Sequence, residues 1–339
     1  MNLSKGGCAW RSMKPPMKKR EEQRMFEQIR ACIEAYDTVI IHRHKNPDGD
    51  ALGSQMGLKH IILENYPQKR VLCVGDGSAR YGFMLEGDRM DEVSDEDYKG
   101  ALAIILDTSA KSLICDDRYT LADKTARMDH HIFCEEIAEV EVTDTSFESC
   151  CGLVAAMAME CGWKLTPVAA KALYTGMITD SGRFRYDSTT AQTFRVAAFL
   201  MEQNFSTADI YRNLYADDFS FIQLRAKFVL KIQFAEGGRV AYIYTPAEEA
   251  DGYAVDRFTI SRGMVNVMSE IRGVDIWVNF TEAEDGVWTE IRSSVYNINP
   301  IAKKYGGGGH AKASGATLKD RNEAMQMLAD LKALTEERA

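Results

Sequence analysis

Residues 42 to 55 read HRHKNPDGDALGSQ, and within them His44, Asp48 and Asp50 stand in the spacing H-x3-D-x-D. Pro47 stiffens this loop and Gly49 loosens it. Carboxylates two residues apart in an extended segment project to one side. With an imidazole beside them they repel or stay unsatisfied unless a cation joins them, and mixed oxygen and nitrogen donors suit Mn2+, Fe2+ or Zn2+ better than Ca2+. Taken alone, the stretch also reads as an Asx-rich turn capping the next helix. Three other segments carry matching chemistry. Asp107 follows the apolar run 101–106 in ILDTS, where a lone acid is also a common helix cap. Asp129-His130-His131 sets an acid beside two of the six histidines in the chain; one can ligate metal while its neighbour faces substrate, or the three can be a polar loop. Asp180 lies in TDSGRF, where Ser181-Gly182 would let backbone approach a ligand, although a turn explains that segment equally well. Together His44, Asp48, Asp50, Asp107, His130 and Asp180 are six donors from four segments, a count that fits two metals sharing a bridging group.

A different chemistry is written at 306–315, GGGGHAKASG. Consecutive glycines expose backbone N–H groups that can wrap an anion, and His310 and Lys312 add donors and charge. Upstream, Arg292-Ser293 ends a strand-like run, and the guanidinium could grip a phosphate or carboxylate bidentately. A flexible linker is the competing reading, but a linker has no use for a histidine among glycines and small residues. VGDGSARYG, 74–82, lacks the G-x-G-x-x-G spacing, so no dinucleotide fingerprint is supported.

The elements that must position these residues follow from hydrophobic periodicity. A helix over 18–36 precedes a short buried strand at 38–41, then a helix through 62, and strands at 71–74 and 101–106. Such alternation predicts a mostly parallel sheet with helices on both faces, whose ligands gather at the carboxyl ends of the strands. Residues 150–178 read as helix, as do 190–203 and much of 205–232, with Asp217-Asp218 marking a turn. Strands then follow at 240–244, 274–280 and 287–293, with helices at 261–272 and 320–335. The fold class expected is α/β in two domains.

The 339 residues are 45% hydrophobic, and no run of about 18 apolar residues occurs, so neither a membrane span nor a secretory h-region is indicated. The basic first twenty residues are expected to form a disordered arm or to precede the true start at Met13 or Met17. A net charge of −9 disfavours long nucleic acid while allowing a short phosphorylated substrate held by metal and a few arginines. Eight cysteines without a C-x-x-C pair favour reduced thiols in a cytoplasm over disulfides or zinc.

HKNPDGDALGS, ILDTS, DHH and ITDSGRF, in that order, resemble the four motifs of the DHH phosphoesterase superfamily; IRSS followed by GGGGHAKASGA resembles its substrate-binding DHHA1 domain. Length and layout are most similar to bacterial members that hydrolyse very short RNA and convert 3′-phosphoadenosine 5′-phosphate to AMP. With the arm at 1–20 and a helical linker at 205–235 read from the sequence pattern, the resemblance implies a catalytic DHH domain at 21–204 and a smaller α/β DHHA1 domain at 236–339, with the active site in the cleft between the domains. It implies two Mn2+, or Mg2+ or Co2+ in their place. His44, Asp48 and Asp107 would hold one ion, and Asp50, Asp107, His130 and Asp180 the other, with Asp107 bridging. Asp107 and His131 would be catalytic, His131 touching the scissile phosphate, and Arg292, Ser293, Gly308, Gly309 and His310 would bind the far end of the substrate. A grip at both ends admits about two to five nucleotides. Stacking of a base on Tyr81 or Phe83 is a weaker expectation than core packing for both.

The implied partners are short RNA oligonucleotides and phosphorylated nucleotides, with no long duplex and no membrane; a homodimer is compatible with the pattern. Pyrophosphatases of the superfamily carry a different C-terminal domain, its long-strand exonucleases add a nucleic-acid-binding barrel, and its membrane-bound cyclic dinucleotide phosphodiesterases begin with transmembrane and sensor segments; none of these matches this sequence. Two alternatives stay open: a soluble phosphodiesterase for linear or cyclic dinucleotides, and a non-catalytic nucleotide sensor on the same fold.

Overall fold

The computed structural model describes residues 19–336, so the arm expected over 1–20 falls, but for Lys19 and Arg20, outside the described residues. Two compact units part between Ala216 and Asp217.

In the first unit, α1 (Lys19–Ala35) leads into β1 (Thr38–His42), α2 (Gly49–Asn65) and β2 (Arg70–Cys73). Then come β3 (Leu102–Leu106), β4 (Lys124–Asp129) and β5 (Val140–Thr143), followed by α3 (Cys150–Cys161), α4 (Pro167–Asp180), α5 (Ala191–Met201) and α6 (Thr207–Tyr215). The five strands pair in parallel in the order β2-β1-β3-β4-β5. The parallel sheet expected from the sequence is therefore present, but its two faces differ. Val39, Ile41, Leu102, Ile104 and Ala126 face a core built with the α-helices. The opposite face, with Ile40, Leu72, Ala103 and Ile105, packs beneath Tyr98, Ile114, Tyr119 and Ile137. Those residues come from 3₁₀ turns and loops, among them Asp95–Tyr98 and Asp117–Leu121, and not from α-helices. The connections on that side are crowded with Asp, Gly and Ser, whose side chains compete for backbone hydrogen bonds and favour short turns.

The helix expected over 150–178 is two helices. Gly162 at φ 65 closes α3, its N–H bonding back to Ala158, and Thr166 caps α4 ahead of Pro167. The helix after the H-x3-D-x-D loop begins at Gly49, so Gly53 is an interior residue. A Cβ at Gly53 would lie 2.7 Å from the Ala172 carbonyl oxygen and one at Gly57 2.5 Å from Leu173, so the missing side chains let α2 lie directly against α4. Tyr81 and Phe83 pack against the helical core, as core packing predicts.

The second unit starts with α7 (Phe219–Leu230), β6 (Gln233–Phe234), β7 (Val240–Thr245) and α8 (Ala247–Asp251). It continues through β8 (Ile276–Ala283), β9 (Gly286–Ser293), α9 (Asn299–Lys304), β10 (Gly308–Gly309), β11 (Ala313–Leu318) and α10 (Arg321–Glu336). The strand order is β10-β11-β9-β8-β7-β6, and only β7–β8 is parallel. One face packs on α9 and α10, the other on α7 and the segment around Ile260–Met268. Instead of a helix over 261–272, that segment is a π turn (Thr259–Gly263) followed by a 3₁₀ turn (Val265–Met268). Buried Asn279 donates from Nδ2 to the carbonyls of Ile260 and Ser261, both at 2.8 Å, which holds the wider turn open. The expected linker at 205–235 divides: Ile210 and Leu214 of α6 join the first core, and Leu224 and Phe228 of α7 join a core of the second unit.

Candidate metal centre

The carboxyl ends of β1, β3 and β4 lie side by side, because β3 pairs with both of its neighbours in parallel. His44 follows β1 and is tied by a β-bridge to Ile114; Asp107 follows β3; His130 and His131 follow β4. Asp48 caps α2, its Oδ1 accepting the N–H groups of Asp50 and Ala51 at 3.0 Å each. The capping reading and the ligand reading of Asp48 are thus compatible. Asp50 sits in the first turn of α2 and Asp180 ends α4, which packs on α2 through Gly49 and Thr179.

All six predicted donors converge. His44 Nε2 lies 3.7 Å from Asp48 Oδ1 and 3.5 Å from Asp107 Oδ2. His130 Nε2 lies 3.7 Å from Asp50 Oδ2, 3.5 Å from Asp107 Oδ1 and 3.6 Å from Asp180 Oδ2. These separations exceed hydrogen-bond length, yet donors bound at about 2.1 Å around one tetrahedral ion stand about 3.4 Å apart. His44/Asp48/Asp107 and Asp50/His130/Asp180 form two groups able to hold a metal ion, and Asp107 offers one oxygen to each imidazole. Asp107 Oδ1 is buried and has no hydrogen-bond partner, so the fold leaves a carboxylate oxygen aimed at the place where a cation would satisfy it. Asp107 itself is held at φ 49, in the left-handed region. His44, Asp48, Asp107, His130 and Asp180 line a cavity of about 200 Å³ together with His131, Ser109 and Leu113.

The surroundings orient these donors. His44 Nδ1 meets the Lys45 carbonyl at 2.8 Å, which turns Nε2 toward the carboxylates. Asp50, almost wholly buried, accepts the backbone N–H groups of Cys150 at 2.7 Å and Cys151 at 2.8 Å, the first two residues of α3. Burial and its neighbours Asp107 and Asp180 push its pKa well above the ordinary value. Burial likewise raises Asp180 to about 6. For His44 and His130 burial opposes charge, but the facing carboxylates prevail and lift both to about 10. Asp107 also resists burial, its pKa lowered by His130 and His44. In the protein alone the facing carboxylates therefore favour protonated imidazoles, and a bound metal ion would take the place of those protons.

His131 adjoins this set: its Nδ1 lies 3.6 Å from Asp107 Oδ1, and Asp107, His130 and His131 are a third group whose donor atoms come together. Its Nδ1 is 2.8 Å from Asp129 Oδ1, and the other oxygen of Asp129 accepts from Arg127 Nη2. Arg127 and Asp129 are both fully buried, and Arg127 also reaches Glu141 at 3.3 Å. Asp129, with its neighbour Asp107, raises the His131 pKa. The sequence reading gave Asp129 and Arg127 no role; Arg127-x-Asp129-x-His131 has the two-residue period that places side chains on one face of a strand, and that was the available signal. His42 lies outside the centre: it is fully buried near Tyr98 and Tyr119, and burial lowers its pKa to about 4.

In the second unit, Gly308 pairs with Gly315 and Gly309 with Ser314, so 306–315 is a β-hairpin and not a free loop. The N–H groups of Gly306 and Gly307 donate to Lys303 and Ala302, closing α9, and are not available to an anion. A Cβ on Gly307 would fall 2.0 Å from the Gly315 carbonyl oxygen, which explains the glycine there. His310 is exposed at the hairpin tip, and Ala313 pairs with Arg292. Ser293 is buried: its hydroxyl donates to the Asp275 carbonyl and accepts from the N–H groups of Val295 and Tyr296.

The description DHH family, N-terminal domain, matches residues 38–177, and that of the DHHA1 domain matches residues 252–337. The bifunctional oligoribonuclease and PAP phosphatase NrnA of Bacillus subtilis (strain 168) is 34% identical, the match covering 92% of this chain and 99% of that protein. The chain belongs to the DHH family. A probable bifunctional oligoribonuclease and PAP phosphatase NrnA of Streptococcus mutans is similar at 35% identity, covering 91% of this chain and 98% of its own. An exopolyphosphatase-related protein from Bacteroides fragilis shares the fold, with a TM-score of 0.80 over 93% of this chain and 96% of that one at 24% identity. Asp129-His130-His131 is this DHH chain's own DHH run. Among the described residues no helix is long and apolar enough to cross a membrane.

Proposed function

We propose that the protein is a divalent-metal-dependent phosphoesterase that hydrolyses RNA oligonucleotides of about two to five residues to mononucleotides, and 3′-phosphoadenosine 5′-phosphate to AMP. One observation carries the reading: the buried oxygen of Asp107, without a hydrogen bond, between two imidazole–carboxylate groups. The names of the Bacillus and Streptococcus relatives support the substrates. His44, Asp48 and Asp107 would hold one Mn2+ and Asp50, Asp107, His130 and Asp180 a second, with Mg2+ or Co2+ as substitutes; the oxygen and nitrogen donors suit such ions. When bound, such a pair supplies an activated water and charge stabilisation at the phosphate.

The chain's own contributions are geometric and protic. Asp107 spaces the two donor sets, and buried Asp50 is locked by two backbone N–H groups. His131, fixed at Nδ1 by Asp129, would present Nε2 to a phosphoryl oxygen or to the leaving oxygen. Arg292, Gly308, Gly309 and His310 would bind the far end of the substrate, with Ser293 serving by holding the turn that follows Arg292. Free thiols at the seven described cysteines favour a cytoplasmic location, and the charge of −9 disfavours long duplex.

Initial rates with Mn2+ on a 5′-labelled RNA ladder, on 3′-phosphoadenosine 5′-phosphate and on a cyclic dinucleotide test the reading. Expected are fastest turnover of the shortest RNAs and phosphate release from the bisphosphate, both lost by orders of magnitude in Asp107→Ala. Turnover of the cyclic dinucleotide alone, or of nothing, would refute it; the latter outcome would favour a nucleotide sensor.

A further inference from the structure

Beyond the hairpin, Glu290 and Arg262 in the second unit have no part in the function described so far. Glu290 projects from the same side of β9 as Arg292, two residues on. Its Oε2 accepts from Arg292 Nη1 at 3.0 Å, and its Oε1 accepts from Arg262 Nε at 2.9 Å. A single carboxylate, only 13% exposed, therefore holds two guanidiniums at once.

An exposed arginine beside an acid is ordinarily a weak surface ion pair. Three observations argue that this one is built. Arg262 lies in the π turn, a helical irregularity that tends to mark functional positions. That turn is pinned from beneath by Asn279, which is fully buried and directly opposite Glu290 across β8 and β9. Glu290 in turn is opposite Gly315 on β11, where a Cβ would lie 3.6 Å from Glu290 Oε1, and Gly315 is opposite Gly308, where a Cβ would meet nothing within 4 Å. The two guanidiniums thus border a strand pair whose floor is bare backbone at Gly315 and Gly308. Arg262 gives one N–H to Glu290, and Arg292 gives one to Glu290 and one to the Ile291 carbonyl, of the five that each guanidinium carries, which leaves donors for an anion.

We propose that Arg262 is a second cationic arm of the subsite containing Arg292, that Glu290 positions both guanidiniums, and that together they take the terminal 5′-phosphate of a short oligonucleotide. A monoester phosphate matches two guanidiniums better than an internal diester because it carries about twice the charge. The inference rests on the phosphoesterase reading above and extends it to a residue outside the recognised motifs.

The test compares kcat/KM for 5′-phosphorylated diadenylate with that for 5′-hydroxyl diadenylate, in Mn2+, for wild type, Arg262→Ala, Arg262→Lys and Glu290→Gln. Wild type should prefer the phosphorylated form, and Arg262→Ala should cut that preference about tenfold, chiefly through KM. Lysine at 262 should restore part of it, and Glu290→Gln should lower it while the thermal melt stays two-state. A wild-type ratio near one, a ratio unchanged in Arg262→Ala, or an equal loss on both substrates would overturn the inference while leaving the phosphoesterase reading in place. A wild type that cleaves neither dinucleotide would overturn both.

Discussion

Loading metal into the metal-free protein should expel protons. His44 and His130 face carboxylate oxygens at 3.5 to 3.7 Å, and those carboxylates lift both imidazoles to a pKa of about 10 against the opposition of burial. Both side chains are well shielded, at 21% and 13% exposure. At pH 8 each lies two units below its pKa, so removing each proton to free a ligand nitrogen costs about 2.7 kcal/mol, roughly a hundredfold in affinity. The sign follows directly: the protonated forms dominate below about pH 10, so apparent affinity should rise about tenfold per pH unit per imidazole up to that point and level above it. Burial and its neighbours Asp107 and Asp180 push Asp50 above its ordinary value. Asp180, at about 6, is already ionised at pH 8 and contributes only in more acidic solution. Calorimetric titration of Mn2+ into metal-free protein at pH 8, in buffers of differing ionisation enthalpy, counts the protons. Wild type should release about two for two ions, and His44→Ala about one fewer. Heats independent of buffer, or an affinity flat from pH 7 to 9, would refute the assignment of these imidazoles as ligands.

Two further outcomes bear on the supports of the centre. Asp129→Asn removes the carboxylate between His131 and fully buried Arg127; it should cost about 3 kcal/mol in urea denaturation, because a buried guanidinium loses its nearest partner, and it should lower kcat with KM little changed. Gly176→Ala would set a Cβ 2.2 Å from Cys151 Sγ and 3.1 Å from Asp50 Oδ1; a loss of about 1–3 kcal/mol and weaker metal binding are expected, both relieved by Cys151→Ala in the same chain, and a wild-type melt would show that α4 moves freely there.

What could be read from the sequence was the chemistry bound to residue type. His44, Asp48, Asp50, Asp107, His130 and Asp180 converge because each sits at the end of an element whose hydrophobic pattern is plain, and parallel strands bring their carboxyl ends together. What could not be read depends on which backbone groups are already paired. The glycines at 306 and 307 look free in the sequence, but their N–H groups close α9. Arg127 and Asp129 read as ordinary charges because burial of an ion pair leaves no compositional trace. The 3₁₀ turns over the second face of the first sheet, and the π turn where a helix over 261–272 was expected, depend on tertiary hydrogen bonds such as those of Asn279, which no local pattern reports.

The grip on Asp50 has an evolutionary consequence. Its two anchors are the main-chain N–H groups of Cys150 and Cys151, and any residue but proline supplies the same donors. Selection for this ligand's placement therefore acts on the path of the chain into α3 and leaves the letters at 150 and 151 free to drift, provided they fill the space. Two lineages could preserve the same centre while sharing neither of the residues that steady it.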